Sequence, residues 1–211
     1  MATALREVNL SQIGDDAPLE IALRPLSIAR LELTDPEGRP LVGVVTKHLV
    51  PARMHRSYSI AWSYEPLRSP ITEIIGSRDT ARTAMFLHRE RRLAAAVRLA
   101  PDRDPPAKVV LHPCATMTGR VVDAVGNPVA KLWFEVHAAP LSSAAKRDQL
   151  EATLARLQTN AEGRFRLDDV PPGLPYILSA IRGAERVDVT TKDVQPGETL
   201  DLGDVALKAP K

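Results

Sequence analysis

The sequence predicts an all-β protein built from two tandem β-sandwich modules. Most segments alternate apolar and polar residues with a period of two and are separated by Gly, Pro, Asn and Asp, as short strands joined by turns are. The pattern Asp35-x-x-Gly38-x-Pro40 also returns as Asp123-x-x-Gly126-x-Pro128, an offset of 88 residues. That period is too long for a solenoid repeat and fits one small domain per copy.

The repeat divides the 211 residues into three parts. Residues 1–25 form an N-terminal segment, in which Leu19–Leu23 resembles the end of the first module and is interpreted as a remnant strand of a preceding one. Residues 26–112 form a degenerate first module and residues 113–211 the second. Modules of this size can bury a core without disulfides. The chain is expected to be a piece of a longer array.

The sequence predicts turns between several of the strands. In both repeated patterns the aspartate is expected to accept hydrogen bonds from its own backbone two residues on, while the glycine takes a positive φ. Two further turns are predicted at Thr159–Gly163 and Pro171–Gly173. The strands that follow them carry Phe165 and Tyr176.

One segment, Ser142–Leu157, departs from the β pattern. Leu150, Leu154 and Leu157 recur there at i, i+4 and i+7. This spacing predicts a short amphipathic helix inserted in the second module. Such a helix either covers a sheet edge or docks a partner.

Several separate blocks of the second module occur in the order typical of one family. They are Gly119–Val129, Thr159–Phe165, Val170–Gly173 with Tyr176, Val194–Gly197 and Leu200–Leu207. Through them, residues 113–208 resemble the carboxypeptidase regulatory-like domain, whose fold is a transthyretin-like (prealbumin-like), Ig-like sandwich of seven strands. The first module resembles it only in its opening block and in Thr83–His88, and lacks the Gly-x-Phe strand and the Pro-Gly turn.

The resemblance implies a non-catalytic accessory module, because in carboxypeptidases this domain accompanies a separate catalytic domain. Similar modules occur in bacterial cell-surface and envelope proteins as spacers or adhesive units. The expected role is therefore structural, adhesive or protein-interacting, within a larger, envelope-associated bacterial protein. Its partners would be adjacent domains or another protein, and no enzyme activity or cofactor is expected.

Composition excludes several classes of function. The net charge of +2 gives no reason to expect a nucleic-acid partner. No apolar run reaches the ~20 residues of a membrane helix, so no membrane insertion is expected. The first residues lack the apolar core of a signal peptide. Location therefore stays open, with an extracytoplasmic one implied by the resemblance.

The reactive residue types form no catalytic or metal-binding pattern. The five histidines include no H-E-x-x-H pair. His88-x-Glu90 with Pro113-Cys114 matches a zinc-deaminase pattern only in part, since Met117 stands where its second cysteine would be. Cys114 is interpreted as a small buried hydrophobe. Catalytic and metal-ligating residues are therefore predicted to be absent.

Three aromatic residues near the middle of the first module are candidate ligand-binding residues. Tyr58, Trp62 and Tyr64 would share one face of a strand. That face is either the core of the module or an exposed platform that stacks sugar rings or anchors a protein. A carbohydrate-binding accessory module is therefore the alternative function.

Trp133 is the fourth candidate. Strand alternation puts it with Glu135 and His137, on the face opposite Phe134 and Val136. A large indole among polar groups indicates a contact between the modules or a ligand surface.

Overall fold

The computed structural model describes residues 26–49, 65–77, 82–99, 108–139, 153–182 and 185–207. These residues form fourteen β-strands in four sheets, and no helix is found among them. The strands are β1 Leu26–Thr34, β2 Val45–Leu49, β3 Ile71–Ser77, β4 Arg82–His88, β5 Leu93–Leu99, β6 Lys108–Val110, β7 His112–Pro113, β8 Ala115–Val122, β9 Trp133–Ala138, β10 Thr153–Gln158, β11 Arg164–Val170, β12 Tyr176–Arg182, β13 Glu185–Thr190 and β14 Thr199–Ala206. The described part of the chain is therefore an all-β protein.

The first sheet pair consists of a sheet in the order β3-β1-β6 and a sheet in the order β2-β4-β5-β7. Strand β6 runs parallel to β1, and all other neighbours are antiparallel. Inward-facing side chains of both sheets form one apolar cluster, as in a β-sandwich. Its members are Leu31, Leu33, Leu41, Val44, Ala84, Phe86, Leu93, Ala95, Val109 and Leu111.

The second sheet pair consists of sheets in the orders β11-β8-β14 and β10-β9-β12-β13. Strand β14 is parallel to β8. Between the sheets, Phe134 and Phe165 meet edge to face with ring centroids 4.7 Å apart. Tyr176 is fully buried, and its hydroxyl donates a 2.6 Å hydrogen bond to the Pro171 carbonyl. This bond satisfies the one polar atom of a large core side chain.

The two Asp-x-x-Gly turns have the predicted geometry. Asp35 Oδ1 accepts hydrogen bonds from the backbone N–H of Glu37 at 3.1 Å and of Arg39 at 2.8 Å. In the second turn, Asp123 Oδ1 accepts from Val125 at 3.0 Å and from Asn127 at 2.8 Å. Gly38 and Gly126 have φ values of 80° and 92°, the left-handed region in which glycine is favoured.

The helix predicted over Ser142–Leu157 is wrong for residues 153–157, which belong to strand β10. Strand β10 pairs antiparallel with β9, with Ala155 opposite Val136 and Leu157 opposite Phe134. Pairing satisfies backbone groups along the edge of β9, and this tertiary gain outweighs a local helical preference. Residues 142–152 lie outside the described part of the chain.

The predicted N-terminal segment, residues 1–25 with their remnant strand, lies outside the described residues. The boundaries of the modules at 26–112 and 113–211 stay predictions.

Candidate functional site

The sheet β2-β4-β5-β7 is covered on both faces. Its inward face belongs to the core of the first sheet pair. On its outward face the cross-strand rows are Lys47, Met85 and Ala96; Val45, Leu87 and Ala94; and Thr83 with Arg98. We call these eight residues the junction face.

The second sheet pair packs against the junction face. Met85 is fully buried and belongs to the apolar core of the second sheet pair, and Ala96 packs against that core. Val45, Leu87 and Ala94 form a separate buried cluster with Cys114. The two sheet pairs therefore share an apolar interface at Met85 and Ala96.

Two side-chain donors, of which Lys47 is buried and Arg98 partly buried, add directed contacts across this interface. Lys47 Nζ donates to the carbonyl of Leu154 at 3.1 Å, and Arg98 Nη2 donates to the carbonyl of Ala139 at 2.6 Å. Lys47 is only 4% exposed. Its burial lowers the pKa of the ammonium to about 8.

An ion-pair cluster lies at the connection between the sheet pairs. Arg92 Nε is 3.2 Å from Asp169 Oδ1, and Arg92 Nη2 is 3.7 Å from Asp168 Oδ1. Arg166 Nη2 and Thr116 Oγ1 also donate to Asp168 Oδ1, at 2.7 Å and 3.0 Å respectively. The hydrogen bond from Arg166 is the largest cause of a lowered pKa of Asp168. Arg92 and Asp169 both have positive φ, 49° and 57°, so the two residues that meet here both adopt uncommon backbone conformations.

A buried carboxylate lies at the first Asp-x-x-Gly turn. Asp35 has no exposed surface and accepts from Arg39 Nε at 2.7 Å and from Arg91 Nη2 at 2.9 Å. Burial raises the pKa of this carboxyl, but the arginine and backbone hydrogen bonds outweigh it and hold the pKa far below its usual range. Asp35 thus ties the turn to the β4–β5 hairpin.

Four cations of the first sheet pair have structural partners. Arg91 and Arg92 contact carboxylates, and Lys47 and Arg98 donate to carbonyls of the second sheet pair. These contacts fix the four side chains within the fold.

Trp133 lies on the polar face of β9, as its alternation predicted. Its indole is 52% exposed, whereas Phe134 and Val136 are buried. The guanidinium carbon of Arg156 lies 5.3 Å from the centroid of the Trp133 ring, a cation–π contact within the same sheet. Both predicted roles of Trp133, a contact between modules and a ligand surface, stay predictions.

The other three aromatic candidates, Tyr58, Trp62 and Tyr64, lie outside the described residues, so their predicted role as ligand-binding residues stays a prediction.

Cys114 connects the two sheet pairs in sequence. It is partly buried in the cluster of Val45, Leu87 and Ala94, in agreement with its interpretation as a small hydrophobe. Burial raises the pKa of its thiol to about 12. A thiol with so high a pKa is a poor nucleophile at neutral pH.

Among the described residues, no group of three or more His, Cys, Asp or Glu is arranged to hold a metal ion. No helix long and apolar enough to cross a membrane occurs in the same part of the chain.

Sequence reasoning missed the junction face, although a signal for it was present. Residues 84–87 (Ala-Met-Phe-Leu) and 93–97 (Leu-Ala-Ala-Ala-Val) are continuous apolar runs. Such runs are typical of strands buried on both faces, whereas alternation is typical of strands with one wet face.

The sequence matches no protein family and no curated protein. Among solved structures, the Bacillus anthracis TIE protein has a TM-score of 0.36 at 10% identity, over 87% of this chain and 34% of that one. The Streptococcal ancillary pilin has a TM-score of 0.34 at 14% identity, over 94% and 69%. Catechol 1,2-dioxygenase from Pseudomonas arvilla C-1 has a TM-score of 0.32 at 15% identity, over 46% and 53%. Likenesses this weak assign neither a fold family nor a function.

Proposed function

We propose that the chain is a rigid pair of tandem β-sandwich modules that serves as a non-catalytic structural or protein-interaction unit of a larger protein. The observation that carries this proposal is the junction face. It joins the two sheet pairs through apolar packing and through hydrogen bonds from Lys47 and Arg98. The resemblance to the carboxypeptidase regulatory-like domain extends the proposal to an extracytoplasmic protein.

The strand orders support two copies of one module. The order β3-β1-β6 corresponds to β11-β8-β14, and β2-β4-β5 corresponds to β9-β12-β13. In both copies the last strand of the first-named sheet runs parallel to its neighbour, β6 to β1 and β14 to β8.

The backbone that follows the repeated turn also matches between the two copies at an offset of 88 residues. Gly43 and Lys131 both have positive φ, 79° and 54°. The carbonyls of Val44 and Leu132 accept equivalent hydrogen bonds, from Leu67 at 2.9 Å and from Thr159 at 3.0 Å. The register therefore carries over into strands β2 and β9.

The short connection between the sheet pairs supports rigidity. Strand β7 pairs with β5 of the first sheet pair and ends at Pro113, and β8 of the second begins at Ala115. Only Cys114 lies between them, and its N–H donates to the Arg92 carbonyl at 2.8 Å. The Pro113 carbonyl accepts from Gly197 at 3.0 Å. A connection this short and this well bonded leaves no room for a flexible linker.

The carboxylates with lowered pKa values support a non-catalytic role, because their partners are structural. Asp123 is held by its own turn, Asp168 by Arg166, and Glu198 by Lys192. Structural ion pairs and turn hydrogen bonds also lower the pKa of a carboxylate, so these lowered pKa values do not by themselves indicate a catalytic site.

Carbohydrate binding is not proposed. Of its four candidate residues only Trp133 is described, and Arg156 lies over that ring, where a sugar would stack.

Distances between spin labels measured by pulsed electron paramagnetic resonance test the rigidity. In a Cys114→Ala background, cysteines at the exposed Glu37 and Asp193 place one label on each sheet pair. Labels at Glu37 and Glu73, both on the first sheet pair, give the width of a distance distribution within one sheet pair, which serves as the reference. We expect both distance distributions to be narrow and equally wide. A broad or multimodal distribution for the pair that spans the junction would refute the proposal.

A further inference from the structure

We draw no further inference here: the strongest candidate, the outward face of strand β9 on which Trp133 is 52% exposed beside Arg156, carries no proposal, since nothing in the described part of the structure shows what would cover it.

Discussion

Replacing the buried Lys47 by methionine should remove a contribution to the free energy of unfolding that rises between pH 7 and 9.5. The ammonium lies within the interface of the sheet pairs and is 4% exposed. Burial lowers its pKa from 10.5 to about 8. Methionine keeps the length and apolar stem of the side chain without the charge.

The sign follows from proton linkage. Below pH 8 the lysine is charged in both states, so the folded state bears the full cost of burying the charge. Between about 8 and 10.5 the folded protein releases the proton while the unfolded chain keeps it. Stability attributable to Lys47 therefore rises with pH. At about 1.4 kcal/mol per pH unit, the cost is ~3 kcal/mol at pH 7 and falls by ~2 kcal/mol on going to pH 9.5.

Urea unfolding at several pH values measures the effect as a difference between Lys47→Met and wild type. The difference cancels the opposite contribution of Cys114, whose thiol pKa is raised to about 12 in the folded protein. We expect the stability of the variant relative to wild type to decline by ~2 kcal/mol from pH 7 to 9.5. Lys108→Met is the matched control, since its side chain is 52% exposed, and its difference should stay level. A level difference for Lys47→Met would refute the reasoning.

Four further substitutions test individual contacts by chemical unfolding. Thr34→Val should raise the free energy of unfolding by about 1 kcal/mol, because the buried Thr34 hydroxyl has no hydrogen-bond partner among the described residues. The sequence has Val122 at the position 88 residues further on. A lower free energy of unfolding would contradict this prediction. Gly163→Ala should cost more than about 2 kcal/mol, since φ is 72° and a Cβ would lie 2.6 Å from a backbone oxygen. Gly126→Ala, with open space around the Cβ, should cost only about 1 kcal/mol. Tyr176→Phe should cost about 1–2 kcal/mol, because it orphans a buried carbonyl, and an unchanged unfolding midpoint would contradict that.

The parts of the fold that sequence patterns predicted correctly depend on local chemistry. Both Asp-x-x-Gly turns form as expected, because an aspartate side chain can bond its own backbone and a glycine accepts positive φ. The burial of Phe134 and Val136 opposite Trp133 follows from strand alternation alone.

The wrong helix over residues 153–157 shows where local patterns are ambiguous. The leucine spacing fits a helix, but Ala155 and Leu157 also alternate with Arg156 and Gln158 as a strand does. Residues 153–157 form a strand because the edge of β9 needs a hydrogen-bonding partner. Strand β9 is distant from these residues in the chain, so a local pattern does not include it.

Sequence patterns sufficed to predict the all-β class and the two Asp-x-x-Gly turns, because both depend on residues a few positions apart. Which outward faces are covered depends on tertiary contacts. Val45 and Trp133 correspond in the proposed repeat, yet one is 4% and the other 52% exposed. Burial of an outward face depends on what packs against it, and that contact joins residues as far apart as Lys47 and Leu154. No periodicity within one strand encodes such a contact.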